Sequence, residues 1–249
     1  MLKEKRFDFI LKNLEKSELL TYEYIATELS VSEDTIRRDI DYLHRIGLLS
    51  KVRGGAMQRS KNPLNFQDRD EYLKKEKDLI ALKAIRLIRE NMTLFMDGGT
   101  TIAAIAATLP SNFKLRIITT NMMIVPILQR HKNIELVVIG GYYHQQTGST
   151  VGNITCEQAK GYIADLYFMG TCGVHAEYGI SAVINEDAEV KKTMLKTSKA
   201  VIALANHASL RTSSAFKVCD IGDIDVLITD LPSDDEALND FRGQNLEII

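Results

Sequence analysis

The chain has 249 residues, 45% of them hydrophobic and 26% charged, an ordinary globular composition with material for one large core or two smaller ones. Its apolar runs, such as residues 136–139, are far too short to span a bilayer, and the opening M-L-K-E-K-R-F-D-F lacks the apolar core of a secretory leader, so no membrane partner and a cytoplasmic location are expected. Three cysteines without metal-type spacing exclude a disulfide framework, and the net charge of −2 hides an uneven split: 12 Lys and Arg against 10 Asp and Glu in residues 1–61, and 19 against 23 in residues 62–249.

Taken in order, residues 3–15 place Phe7, Ile10, Leu11 and Leu14 at helical spacing. Thr21 is suited to cap a second helix whose apolar side is Tyr24, Ile25 and Leu29. Ser30 and Val31 then turn the chain into a third. Ser32 is a good N-cap, Glu33 and Asp34 suit the positive end of the helix dipole, and Ile36, Ile40 and Leu43 form one apolar stripe. Thr35 and Arg37 flank that stripe, Arg38, Asp41 and Arg45 lie opposite it, and Gly47 is placed to end the helix. Two short helices separated by a tight turn form a helix-turn-helix, whose second helix enters the major groove. Residues 48–53 and 56–59 read as two short strands around Gly54-Gly55, a wing on which Lys51, Arg53 and Arg59 could neutralise phosphates. Residues 35–61 carry seven Lys or Arg against two Asp, a local basic footprint on an acidic chain.

The run V-S-E-D-T-I-R-R-D-I-D-Y-L-H-R-I-G-L-L-S-K-V-R-G-G-A resembles the winged-helix signature of the DeoR family of bacterial transcription regulators, and R-F-D-F-I-L and T-Y-E-Y-I-A-T-E-L fit the same family. The resemblance implies binding to double-stranded operator DNA, with Ser32, Thr35, Arg37, Arg38, Arg45, Lys51 and Arg53 as the candidate contacts. The alternative is a helix-turn-helix used for protein contacts. The winged domain is expected over residues 1–57, and a linker over 58–74.

Beyond residue 75 a second domain is expected to run to residue 249. A helical stretch at 68–90 leads into it. Apolar runs at 93–96, 116–119, 136–139, 166–169, 201–205 and 226–229 alternate with helical patterns at 102–109, 123–130, 154–163 and 188–198. That alternation predicts an α/β domain with a parallel sheet and helices on both faces. The loop F-M-D-G-G-T-T-I-A-A-I-A ends a strand at Gly98-Gly99 and opens a helix at Thr100-Thr101, a geometry suited to phosphate but matching neither a P-loop nor a dinucleotide fingerprint. Later strand ends carry Thr119 to Asn121, Gly140-Gly141 and G-T-C-G-V from Gly170, small and polar residues where open α/β sheets bind ligands.

The order D-x-G-T-T, T-N, G-G, G-x-x-G, E-V-K-K, L-I-T-D resembles the sensor domain of the same family, which is similar in fold to ribose-phosphate isomerases and typically binds phosphorylated sugars. On that resemblance Gly99, Thr100, Thr101, Asn121, Gly173 and Lys191 become candidate effector contacts, with Asp97 and Gly141 beside them. Where the family usually has Asp-Ser-Ser-Lys after the sixth strand, this chain has Asn206-His207-Ala208-Ser209, so the acid is an amide and the lysine a serine. Arg211 is the nearest replacement cation.

The whole implies a transcription regulator, a repressor of a sugar-utilisation operon released by a phosphosugar-class effector, acting as a homodimer or homotetramer on repeated half-sites. The alternatives are an activator and a sugar-phosphate isomerase. Against catalysis, the loop G-T-C-G-V-H lacks the acids such isomerases use, and Asp97 is as well suited to capping the helix at Thr100. Cys172, His175 and His144 lack metal-type spacing, so neither metal nor cofactor is expected. Tyr142 and Tyr143 suit sugar stacking or sheet-edge packing, Met122, Met123 and Met194 suit core filling, and Asp234, Asp235 and Glu236 suit helix capping.

Overall fold

The computed structural model describes residues 3–14, 17, 19–45, 48–52, 54–57 and 66–249, and it divides into two compact units, residues 1–73 and 74–249.

In the first unit, α1 (Lys3–Leu14), β1 (Leu19–Thr21), α2 (Tyr22–Leu29) and α3 (Glu33–Arg45) precede the hairpin of β2 (Ser50–Val52) and β3 (Gly55–Met57). Ile36, Ile40 and Leu43 of α3 are fully buried against Ile10, Ile25, Leu49 and Ala56, as their spacing requires. The hairpin gains an unexpected third strand: β1 pairs antiparallel with β3, Leu20 opposite Ala56, in the order β1-β3-β2. Thr21 both ends this strand and caps α2, its hydroxyl accepting from the Tyr24 N–H at 3.2 Å. A further helix, α4 (Phe66–Glu71), lies in the second half of the stretch expected as linker. Residues 58–65, with Gly47, Arg53 and Arg59, lie outside the described residues.

The second unit opens on α5 (Lys74–Ala84). The stretch expected to be mostly helical over 68–90 is so, but it is interrupted at Leu73, which takes a φ of 50° that L residues rarely adopt, and it tightens to a 3₁₀ turn at Ile85–Leu87. Next come β4 (Thr93–Met96), α6 (Thr100–Thr108), β5 (Leu115–Thr119), the short α7 (Val125–Leu128), β6 (Ile134–Val138), β7 (Tyr142–His144), β8 (Ser149–Val151) and α8 (Asn153–Lys160). The chain continues through β9 (Leu166–Gly170), β10 (Gly173–His175), β11 (Gly179–Ala182), α9 (Asn185–Lys196), β12 (Val201–Ala205), β13 (Phe216–Cys219), β14 (Val226–Thr229) and β15 (Glu247–Ile248).

Seven strands form one parallel sheet in the order β15-β14-β12-β9-β4-β5-β6. The chain starts at β4, runs outward to β6, then resumes at β9 on the other side of β4 and runs outward to β15. The order therefore reverses at the β4–β9 seam, the switch point at which open α/β sheets bind ligands. Right-handed crossovers running outward in opposite directions place their helices on opposite faces. Accordingly α5 packs with α6, and α8 with α9. Phe95, Tyr167 and Met169 are buried at the seam, and the ring of Tyr167 meets that of Phe95 edge-on.

Two smaller antiparallel sheets were not anticipated, β7-β8 and β10-β11-β13, built by the segments after the G-G and G-T-C-G loops. Met194 is core, but Met122 and Met123 are each 37% exposed, because residues 122–128 form a 3₁₀ turn and one helical turn rather than a full amphipathic helix. Tyr142 and Tyr143 are exposed rather than packed on an edge. Asp235 does cap, accepting from the Ala237 N–H at 2.8 Å. Among the described residues, no helix is long and apolar enough to cross a membrane.

Candidate nucleic-acid interface and effector site

The first turn of α3 is organised by Ser32. Its hydroxyl accepts from the Thr35 N–H at 3.3 Å and lies 2.9 Å from the Thr35 hydroxyl, so both side chains are engaged at the helix start. Arg37 lies over the Tyr22 ring, 5.3 Å from its centre, and 3.6 Å from Glu33. Arg38 is exposed and makes no hydrogen bond or ion pair among the described residues. Of the two arginines it is the one left unengaged among the described residues. On the wing, Lys51 is drawn onto Asp41 of α3 at 2.5 Å, which raises its pKa through that hydrogen bond, so a phosphate would have to compete for it. Arg45 belongs to α3 by its backbone, and its side chain lies outside what is described.

The third charge of the R-R-D run does something different. Asp39 is buried and accepts twice from Arg6 of α1, at 2.5 and 3.0 Å, clamping α3 to α1. The bond also holds the Arg6 guanidinium above its ordinary range. His44 adds a second tie, its Nδ1 accepting from the Lys51 N–H at 3.3 Å. Neither role was visible in a segment read as a basic footprint for DNA.

In the second unit the carboxyl ends of β4 and β9 meet around Asp97. It does not cap α6; Gly99 occupies the N-cap position, at a φ of 121° that favours glycine, and supplies no side-chain cap. Asp97 is instead fully buried, accepting from the Tyr167 hydroxyl at 2.6 Å, the Gly170 N–H at 2.9 Å and Lys191 Nζ at 2.5 Å. Lys191 also donates to the Gly170 carbonyl at 2.9 Å and lies 3.6 Å from Asp187 one turn earlier on α9. Burial raises the Asp97 pKa and the nearby Asp187 adds to this, while Lys191 opposes it. Burial would depress Lys191, but Asp187 and Asp97 together hold its pKa above the usual range. The Tyr167 phenol, raised by burial and by Asp97, stays a hydroxyl donor. Gly170 must be small: a Cβ there would sit 2.6 Å from the Gly98 carbonyl oxygen.

Around this knot the Gly99–Thr101 turn is braced from β5. Asn121 donates to the Gly99 carbonyl at 3.0 Å and accepts from the Met123 N–H at 3.1 Å, so its amide positions the turn. Thr100 is buried and Thr101 half-buried at the start of α6, whose first-turn N–H groups and positive dipole end suit an anion. Ser149, bridged to Asn121, has a buried hydroxyl with no hydrogen-bond partner among the described residues and packs against Gly98. Asp97, Gly99, Thr100, Thr101, Asn121 and Lys191 thus converge. Gly141 is set apart at the β7 turn, beside the Thr155 hydroxyl, and Gly173 begins β10 beside Ser181. Arg211 is held by Asp240 at 2.9 Å and by the Glu236 carbonyl, partners in the 236–240 segment rather than in the Gly99 turn. Asn206 caps its own short turn, accepting from the Ala208 N–H and the Ser209 hydroxyl. Tyr167, Asp187 and Ser149 were not singled out from the sequence, and Gly170 was read only as the start of the G-T-C-G-V strand end. Among the described residues, no group of three or more His, Cys, Asp or Glu is gathered as for a metal ion.

Comparison with known proteins gives the following. A model of the DeoR-like helix-turn-helix domain matches residues 6–62, and a model of the DeoR C terminal sensor domain matches residues 73–231. The chain is 31% identical to the HTH-type transcriptional repressor GlcR of Bacillus subtilis (strain 168), over 98% of this chain and 95% of that protein. It is 27% identical to the glycerol-3-phosphate regulon repressor of Haemophilus influenzae, over 100% of this chain and 97% of that one. Among solved structures it is similar to ribose 5-phosphate isomerase A from Methanocaldococcus jannaschii, with a TM-score of 0.40 and 15% identity over 55% of this chain and 54% of that chain.

Proposed function

The chain belongs to the DeoR family of transcription regulators, and on that premise we propose that it represses a sugar-utilisation operon until a phosphorylated sugar or related metabolite binds at the β4–β9 seam. It is a DeoR-type DNA-binding regulator, and its relatives include repressors named for sugar and glycerol-phosphate regulons. The observation that carries the effector site is the N-terminus of α6, opened by Gly99 and seated where the strand order of the parallel sheet reverses. An anionic group fits the first turn of α6, with Thr100 and Thr101 as its hydroxyl contacts. Hydroxyl groups of the ligand fit toward Ser149 and Asp187, where a phosphate would meet like charge.

On DNA, Arg38 and Thr35 read base edges, while Arg37, Lys51, Arg45 and Arg53 contribute phosphate contacts. The protein works in the cytoplasm as a homodimer or homotetramer on repeated half-sites. It does no catalysis: Asp97, the carboxylate at the seam, is committed to three protein donors and so is not poised to take a proton from a substrate.

The test is a thermal-shift series on the full chain with glycerol 3-phosphate and glucose 6-phosphate against glycerol and glucose, repeated with Thr100→Val/Thr101→Val. A phosphorylated member should stabilise the chain, and the double variant should lose that stabilisation while still binding DNA. Stabilisation by free sugars alone, or turnover of a sugar phosphate, would overturn it.

A further inference from the structure

The loop that follows β14 is gripped from two directions. From α5, Lys83 Nζ donates to the carbonyl of Thr229 at 2.7 Å and to that of Leu231 at 3.0 Å. From the turn after β12, the backbone N–H of His207 donates to Asp230 Oδ1 at 2.7 Å, and His207 Nδ1 lies 2.6 Å from Asp230 Oδ2. Three consecutive residues are thus tied alternately to α5 and to the 206–209 turn. The half-buried Lys83 ammonium is held below the ordinary lysine range, chiefly by burial, with Asp230 opposing. Its carbonyl acceptors stand in for the water it has given up.

Both ends of this grip lead somewhere. Helix α5 is the element through which the chain enters the second unit, and it packs against β14 and against α6, the helix that carries the Gly99–Thr101 turn. The 206–209 turn follows β12, the neighbour of β9, and the Thr171 hydroxyl just past β9 donates to the Leu204 carbonyl at 2.7 Å. The strand-end rim at β9 and β12 is thus connected to Asp230 through His207. The carbonyls on either side of Asp230 are the two that Lys83 holds.

We infer that His207, Asp230 and Lys83 form a coupling element that transmits rearrangement of the strand-end rim to α5, and along the continuous chain to the DNA-binding unit. This rests on the effector site proposed above, since a ligand moves the equilibrium only if it contacts two arrangements of the rim differently. The competing account is a static one, in which Lys83 merely satisfies two carbonyls at the end of β14.

A double-variant cycle separates the two on the full chain, using a DNA duplex selected from a random pool by the unaltered protein. Asp230→Asn should change the Kd for that duplex by about threefold or more when Lys83 is present, and by less than about 1.5-fold in a Lys83→Met background, with Lys83→Arg restoring the response. The same change in both backgrounds, or none in either, overturns the coupling. Hydrogen exchange over residues 74–84 provides a second readout that needs neither DNA nor effector. Asp230→Asn should speed exchange in α5 only where Lys83 is intact, and equal acceleration in both backgrounds also overturns the inference. Should Lys83→Met fail to fold, Lys83→Gln takes its place in both readouts. Because neither measurement uses an effector, a failure of glycerol 3-phosphate or glucose 6-phosphate to bind counts against the proposed site and leaves the coupling result standing by itself.

Discussion

Lys191 Nζ and Asp97 Oδ2 lie 2.5 Å apart, the first reaching inward from α9 and the second closing the end of β4, and both side chains are almost wholly removed from solvent. With Asp187 3.6 Å from the same ammonium, two carboxylates share one cation in a dry seam. Tyr167 and Gly170 supply the remaining donors to Asp97. The knot fixes α9 against the ends of β4 and β9 and thereby sets the floor on which the Gly99 turn stands.

Lys191→Met should therefore act mainly through uncompensated charge. Breaking a buried pair by removing one partner typically costs about 3–5 kcal/mol, whereas replacing both partners by neutral groups costs less. The sensor-unit transition in urea should fall by that amount in Lys191→Met and recover in part in Asp97→Asn/Lys191→Met. A double variant as unstable as the sum of the singles would mean that the network holds by packing rather than by charge.

The two kinds of cation on the DNA-binding unit should separate in binding assays. Arg38 is exposed and unpaired among the described residues, so Arg38→Ala is expected to cost about 1–3 kcal/mol on a selected duplex and to relax sequence preference. Lys51 is already held by Asp41, so Lys51→Met should cost less and act evenly across sequences, with a shallower salt dependence. Equal losses of preference in both variants would mean that α3 does not present Arg38 to bases.

Asp39 is next to Arg38 in sequence but belongs to the core of its unit. Asp39→Ala removes the two bonds that Asp39 accepts from the largely buried Arg6 guanidinium and should destabilise the first unit by about 1.5–3 kcal/mol. DNA binding would be lost through loosening of α3 rather than through a missing contact. Circular dichroism should report the lost helix before any DNA is added. An Asp39→Ala protein that is fully folded yet unable to bind would instead make Asp39 part of the interface.

This contrast also marks how far the chain could be read from its residues alone. Local and periodic signals carried through: the stripe Ile36, Ile40 and Leu43 is buried, Ser32 bonds the first turn of α3, and every expected strand of the parallel sheet is present. Features set by distant partners did not. Asp39 looks solvated in R-R-D because its partner is 33 residues away, and Lys191 in E-V-K-K looks like any exposed helix lysine until β4 is laid beside α9. Tyr167 sits in an apolar run that reads as plain core, and nothing local says that its hydroxyl meets Asp97. The three-residue β1 is defined by its pairing with β3, since so short a run carries no periodicity of its own. The Gly99–Thr101 turn was legible because glycine and threonine at a strand-to-helix junction have a local cause; the topology that makes it a switch point did not have one.

A last prediction concerns pH. Asp165, at the start of β9, accepts from the Thr93 N–H at 2.8 Å and from Lys199 Nζ at 2.8 Å, tying β9 to β4 and to the approach to β12. The hydrogen bond from Lys199, and next that from Thr93, hold its pKa below the ordinary carboxylate value. A group depressed in the folded state contributes stability above its unfolded pKa, about 3.9 for Asp, and loses that contribution as pH falls through the lower folded value. At pH 7 Asp165→Asn should thus be less stable than the unaltered chain by about 1 kcal/mol, a figure kept small because the pair is partly solvent-screened. On acidification below about pH 4 the gap should narrow, because the protonated Asp165 comes to resemble the amide that replaces it. Urea midpoints of the sensor-unit transition for the two proteins, taken at intervals from pH 7 to pH 3, measure the difference directly and cancel the acid sensitivity of every other carboxylate. A constant gap across that range would assign the loss to packing at the β4–β9 seam and not to the charge of Asp165.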